Sequence, residues 1–98
     1  MNVKFHPGRI LMTPGAMDAL TEASQLPSVF IYKHITGVWD DGAMSPGDRQ
    51  LNDRAVKNGE RILSSYKTTN DEALWIITDA CNNATQRETT TILLPSEY

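Results

Sequence analysis

The sequence predicts an α+β fold in which two or three N-terminal helices pack on a three-stranded antiparallel β-meander. Helix signals lie within residues 13–58, whereas Ile, Leu, Thr, Tyr and Trp are concentrated within residues 60–94. The connections between the predicted strands are short, which favours antiparallel pairing of consecutive strands. With 98 residues the chain is long enough for one domain, 1–98, and one modest core.

The first predicted elements are an extended segment and a helix. Arg9–Met12 is a short apolar run, which we expect to form an edge strand. A helix is predicted over 14–24, because Thr13 can act as its N-cap and Pro14 stands at the first helical position, where no N–H is needed. The apolar stripe of this helix has helical spacing and comprises Ala16, Leu20 and Ala23.

Two further helices are predicted. The second covers about 27–35 and ends near Gly37, a residue type that is common at helix C-termini. Its apolar residues lie on more than one side, which predicts a buried helix. The third begins with Ser45 as N-cap and runs to about Lys57, and its thin apolar stripe predicts a position on the surface.

The C-terminal half of the sequence predicts three strands, at 61–67, 74–78 and 89–94. The second is apolar on both faces, which is typical of a central strand, so we expect it to pair antiparallel with the other two. Thr89, Thr90 and Thr91 are uncharged and favour β-structure. We therefore expect the third strand to be an edge at which a second copy could add to form a homodimer.

Composition and charge exclude several classes of protein. The net charge of −3 argues against a dedicated nucleic-acid binder, and no apolar run approaches the roughly 18 residues of a membrane span. A single cysteine, Cys81, cannot form an internal disulfide, and the N-terminus has no apolar signal segment. We therefore expect a cytoplasmic protein. No cofactor or metal is expected, because close metal-ligand spacings and Gly-rich phosphate loops are absent from the sequence.

The candidates for catalysis are few and each has a simpler interpretation. Cys81 and His34 could form a thiolate pair, yet a single cysteine after a buried strand usually serves as a small hydrophobic residue. Asp40, Asp41 and Asp79 could each act as a general base, but acids in loops are usually solvated. The sequence therefore assigns no catalytic residue and leaves the question of an enzyme open.

The segment 34–42 is the predicted contact surface for a partner. Trp39 stands outside any periodic stripe, so it either covers the edge of the core or anchors a partner protein. Asp40 and Asp41 would supply charge for orientation, and His34 precedes them. The alternative is a small enzyme or ligand-binding protein whose pocket lies between the second helix and the sheet, with His34 at its mouth.

Several segments carry a combination of residues that is shared with known proteins, among them Thr13-Pro14-Gly15-Ala16, Lys33-His34 with Gly37-x-Trp39, and Leu74-Trp75-Ile76-Ile77-Thr78-Asp79-Ala80. The most specific is the ending Thr90-Thr91-Ile92-Leu93-Leu94-Pro95-Ser96-Glu97-Tyr98. Together they resemble a family of small, uncharacterised bacterial proteins of plasmids and other mobile elements. That family has Arg-His and Gly-x-Trp-Gly where this chain has Lys33-His34 and Trp39-Asp40.

The resemblance implies an accessory protein of a mobile genetic element and brings no catalytic residues with it. We therefore expect a protein that acts by binding another protein. Its partner would be a host defence or restriction component, or a second copy of the chain itself.

Overall fold

The computed structural model describes residues 3–39 and 46–98, and these form an α+β fold with helices on one side of a mixed sheet. The last strand is followed by a 3₁₀ turn, Pro95–Glu97. In chain order the helices and strands are β1 (Arg9–Met12), α1 (Pro14–Glu22), α2 (Pro27–Thr36), α3 (Pro46–Asn58), β2 (Ile62–Lys67), β3 (Ala73–Thr78) and β4 (Thr89–Leu93). Within the described ranges, no helix is long and apolar enough to cross a membrane.

The sheet has the strand order β1-β4-β3-β2. As predicted, β3 is a central strand that pairs antiparallel with β2 on one side and β4 on the other. The predicted three-stranded antiparallel meander is not exact, because β1 adds as a fourth strand, parallel to β4, with Ile10 opposite Thr90. The edge that we expected at Thr89–Thr91 is therefore occupied by β1, and the outer strands of the sheet are β1 and β2.

The ends of the first two helices are formed by the residues that the sequence indicates. The hydroxyl of Thr13 accepts a hydrogen bond from the N–H of Ala16 at 3.3 Å, and Pro14 follows this cap. Gly37 ends α2 with φ of 89°, in the left-handed region that a side chain would disfavour. The predicted N-cap of α3, Ser45, lies outside the described residues.

The prediction that α2 is buried on more than one side is wrong. Only Phe30 and His34 of this helix are buried, whereas Val29 and Tyr32 are 47% and 48% exposed. The physical reason is that the helices form a single layer, so one side of α2 has nothing to pack against.

The core lies between the helices and one face of the sheet. Alternation along the strands places the other side chains on the opposite face, which we call the open face and define by Leu11, Leu63, Trp75, Ile77 and Leu93. The largest cluster of buried residues joins α1 and α2 to the three C-terminal strands and consists of Ala16, Ala19, Leu20, Phe30, Tyr66, Leu74, Ile76 and Ile92. A second cluster joins the N-terminal segment to α3 and β2 and consists of Phe5, Trp39, Ala55 and Ile62.

On the outer edge of β2, a side chain makes the pair of backbone hydrogen bonds that a neighbouring strand would make. The amide of Asn52 on α3 donates to the carbonyl oxygen of Leu63 at 2.7 Å and accepts from its N–H at 3.3 Å. The N–H of Ser65 donates to the carbonyl oxygen of Trp39 at 3.0 Å. The N–H and C=O of Leu63 and the N–H of Ser65, which face away from β3, are therefore bonded within the fold.

Two neighbouring isoleucines of β3 can test which face of the sheet is the core face and which is the open face. Ile76 lies in the main core and is fully buried, whereas Ile77 lies on the open face. Ile76→Asp should cost about 4 kcal/mol or more in the free energy of unfolding, because it buries a carboxylate without a partner. Ile77→Asp should cost within about 2 kcal/mol. Urea unfolding followed by circular dichroism compares the two, and similar midpoints for both variants would contradict the assignment.

Candidate functional site

A chain of hydrogen bonds runs through the core and passes through the imidazole of His34. This side chain reaches from α2 to the sheet and is fully buried. Its Nδ1 lies 2.5 Å from the hydroxyl of Ser64 on β2, and its Nε2 lies 2.8 Å from the hydroxyl of Thr78 on β3. Thr78 in turn lies 2.7 Å from the hydroxyl of Thr90 on β4, which bonds the carbonyl oxygen of Pro7 at 2.7 Å.

The far end of this chain determines the tautomer of His34. A carbonyl oxygen can only accept, so the hydroxyl of Thr90 donates to Pro7. Because each hydroxyl has one proton, Thr90 accepts from Thr78, and Thr78 accepts from Nε2 of His34. Nε2 therefore carries the ring proton, and Nδ1 accepts from Ser64. The imidazole is neutral, with both of its nitrogens in use.

The surroundings of His34 also favour the neutral ring. Burial lowers its pKa from 6.5 to about 3, and the positive charge of Arg87 adds to this effect. The ring of Phe5 meets the imidazole edge to face at a centroid distance of 5.2 Å, and the guanidinium of Arg87 lies 5.5 Å from the centre of the Phe5 ring. Arg87 is itself held by the carbonyl oxygens of Ala55, Glu60 and Asp79.

Two of the predicted contact residues, His34 and Trp39, lie among the described residues, and both are buried. Trp39 is 5% exposed and packs in the second cluster, where its indole N–H donates to the carbonyl oxygen of His34 at 2.9 Å. The structure thus supports the interpretation in which Trp39 covers the core. Asp40 and Asp41 lie outside the described residues. His34 lines none of the three cavities found in the described part of the chain.

Cys81 lines a cavity of about 600 Å³ beside the N-terminal segment, together with Phe5, His6 and Arg87. The thiol has no contact with the buried His34 that could form the thiolate pair considered above. Arg87 is already engaged by three carbonyl oxygens, and Nδ1 of His6 accepts from the N–H of Gly8. Within residues 3–39 and 46–98, no three His, Cys, Asp or Glu side chains come together as a group that could hold a metal ion.

A second cavity, of about 430 Å³, opens onto the open face and is bordered by α3. Leu51, Leu63 and Trp75 provide its apolar lining, and Asp48 and Arg61 place opposite charges beside it. Tyr98 extends this surface: its ring meets that of Trp75 at a centroid distance of 5.6 Å, and its hydroxyl accepts from Arg61 at 3.0 Å. This site was not predicted from the sequence. The one signal in the sequence was Leu51, a large apolar residue on a mostly polar helix.

Comparison with known proteins identifies no relative. No family model, no curated protein and no solved structure matches the chain.

The contribution of the hydrogen-bond chain to stability can be tested by replacing one hydroxyl with a methyl group of similar size. Thr78→Val leaves Nε2–H of His34 without an acceptor and Thr90 without a donor, which should cost about 1–3 kcal/mol in the free energy of unfolding. Thr91→Val on the open face is the matched control and should change it by less than about 0.5 kcal/mol. Equal losses in the two urea titrations would show that the buried chain contributes nothing specific.

The lowered pKa of His34 predicts how stability depends on pH. The unfolded chain binds a proton at this residue below about 6.5, whereas the folded chain does so only near pH 3. The contribution of neutral His34 to the free energy of unfolding is therefore fully present above pH 6.5. It falls by about 1.4 kcal/mol per pH unit as the pH decreases towards 3.

Urea titrations at pH 7, 6, 5 and 4 measure this slope. The variant His34→Gln serves as the reference, because its amide can donate and accept but does not titrate. The pH dependence that remains in this variant is the part due to the carboxylates. A variant slope as steep as that of the unchanged chain would refute the assignment to His34.

Proposed function

We propose that the protein acts by binding another protein, as an accessory protein of a mobile genetic element, and that the open face with its cavity is the contact surface. The observation that carries this proposal is the cavity itself. It combines aliphatic and aromatic lining with a pair of opposite charges, which is the arrangement of a pocket that receives an anchoring side chain at a protein interface.

The position of the helix layer supports this surface. An antiparallel sheet with one face packed on helices commonly has a polar second face. Here the second face carries a row of residues opposite one another in register, one from each strand: Leu63, Ile77, Thr91 and Leu11. Three of the four are aliphatic. An apolar row that no helix covers gains little from folding. It would gain more in a complex in which a partner covers it.

The occupant that fits is a protein of the host cell with an apolar side chain for the cavity and an acidic group that pairs with Arg61. The mobile-element context rests on the resemblance of the sequence, and it favours a defence or restriction component as this protein. An enzyme or ligand site with His34 at its mouth gains no support from the geometry, because the ring is enclosed and both nitrogens are bonded.

One other apolar surface competes with the open face. Leu26, Val29 and Tyr32 on the outer side of α2 are all exposed. This surface is the side of a helix and lines none of the three cavities. Because anchoring residues concentrate in pockets, the open face is the better candidate.

The test compares one substitution on each surface. Leu51 is 53% exposed at the cavity, so Leu51→Asp should keep the fold and shift the thermal midpoint by only a few degrees. It should abolish recovery of the partner from native host cells, because it places a carboxylate in the apolar cavity beside Asp48. Val29→Asp on α2 makes the same chemical change on the competing surface and should retain the partner.

Quantitative mass spectrometry of proteins that co-purify with the two tagged variants measures both results. A photo-crosslinker introduced at position 51 should link to the same protein. Loss of the partner in Val29→Asp and its retention in Leu51→Asp would assign the contact to α2 and overturn the proposal. Retention in both variants would exclude both surfaces.

A further inference from the structure

Strand β1 has one edge that the fold leaves open. The N–H of Arg9 donates to Glu88 and that of Thr13 donates to Ile92, so the odd-numbered residues of this strand face β4. Alternation places the N–H and C=O groups of Ile10 and Met12 on the opposite side. Within the described part of the chain, no hydrogen bond uses these groups. Ile10 and Leu11 are also 42% and 40% exposed.

We propose that this edge binds the same edge of a second copy, so that the two β1 strands pair antiparallel about a two-fold axis at Leu11. In this register Ile10 lies opposite Met12 of the second copy, and Leu11 lies opposite Leu11. The outward groups of Ile10 and Met12 then form four hydrogen bonds across the axis. The two sheets become one eight-stranded sheet whose open faces join at the leucine pair.

The same register places opposite charges together. Arg9 has the same orientation as Leu11, on the open face, and in this register it lies opposite Thr13 of the second copy. The hydroxyl of Thr13 donates to the carboxylate of Glu97 at 2.5 Å, and the N–H of Gly15 donates to it at 3.1 Å. Arg9 of each copy therefore meets an anchored carboxylate of the other, and the symmetry forms this ion pair twice.

The neighbouring registers are poorer. Centring the pair on Ile10 would require the N–H of Gly8, which already donates to Nδ1 of His6 at 3.2 Å. Centring it on Met12 would place Ile10 opposite Pro14, which has no N–H to donate. Centring on Ile10 also places Arg9 opposite Leu11 instead of Thr13 and so moves it away from Glu97. Self-complementarity in one register favours a second copy of this chain over an unrelated strand.

This inference does not depend on the function proposed for the open face. Leu51 lies on α3 beside β2, and the paired edge lies at the other end of the sheet. Loss of a host partner in Leu51→Asp and loss of the dimer in variants of β1 are therefore separate results.

The first test is the mass of the protein in solution. Sedimentation at high micromolar concentration should give twice the monomer mass of 10.9 kDa. Arg9→Glu replaces both ion pairs by like charges and should raise the dimer dissociation constant by about tenfold or more. Arg54→Glu on α3 makes the same charge change away from the edge and should leave the constant unchanged. Circular dichroism confirms that both variants are folded.

The second test reads the register by disulfide formation in a Cys81→Ser background. In the proposed pairing the Cα atoms of the two residues 11 lie about 4.5 Å apart, within disulfide range, so Leu11→Cys should oxidise to a covalent dimer. Residues 9 of the two copies are four positions out of register, about 13 Å apart. Arg9→Cys should therefore stay monomeric under the same oxidation.

Either test can overturn the proposal. A monomer mass for the unchanged chain at high micromolar concentration would refute self-association. A dimer that persists unchanged in Arg9→Glu, or that is not linked by Leu11→Cys, would place the interface elsewhere.

Discussion

The buried chain of hydroxyls around His34 is the interaction on which the rest of the structure depends. Polar groups in a core are stabilising only when every one of them is bonded, and among the described residues no buried side-chain polar atom lacks a partner. Ser64, Thr78 and Thr90 belong to three successive strands, and the imidazole links two of them to α2. A slip of one residue in either strand pair would turn a hydroxyl to the open face and leave another group unbonded. The chain therefore specifies the register of the sheet as well as the position of the helix.

The same arrangement keeps the imidazole of His34 enclosed, with both ring nitrogens bonded. The imidazole is used to hold elements together, and its protonation is opposed by burial and by Arg87. The helices lie on the face of the sheet that carries these hydroxyls, where His34 of α2 can bond Ser64 and Thr78. On the opposite face, Tyr98 packs against Trp75, and α3 borders the cavity beside Trp75.

Local signals in the sequence were sufficient for the elements that depend on neighbours in the chain. The cap at Thr13, the left-handed glycine at position 37 and the two-faced apolar pattern of β3 all predict what the structure contains. The parallel pairing of β1 could not be predicted, because a strand of four residues has no periodic pattern and its partner lies some eighty residues along the chain.

The buried role of His34 was equally hidden from sequence reasoning. Its bonding partners are single Ser and Thr residues within apolar strands, and such residues are ordinary on any strand. Trp39 has a similar explanation: the residue that helps to enclose it is Phe5, which belongs to no regular element. The cavity beside Leu51 could not be predicted because it combines α3 with the face of β3 that the helices do not cover.

The unequal edges of the sheet have a consequence for growth of larger aggregates. Fibrils extend by strand addition and require two receptive edges on every subunit, one at each end of the sheet. Here the side chain of Asn52 bonds the N–H and C=O of Leu63, and the carbonyl oxygen of Trp39 accepts from the N–H of Ser65, so part of the outer side of β2 is already bonded. In the described structure β1 is therefore the more receptive edge, and the proposed pairing of two β1 strands would use this edge of both molecules. Strand addition beyond two subunits would then be disfavoured, and the protein could present the apolar edge of Ile10–Met12 without seeding a polymer.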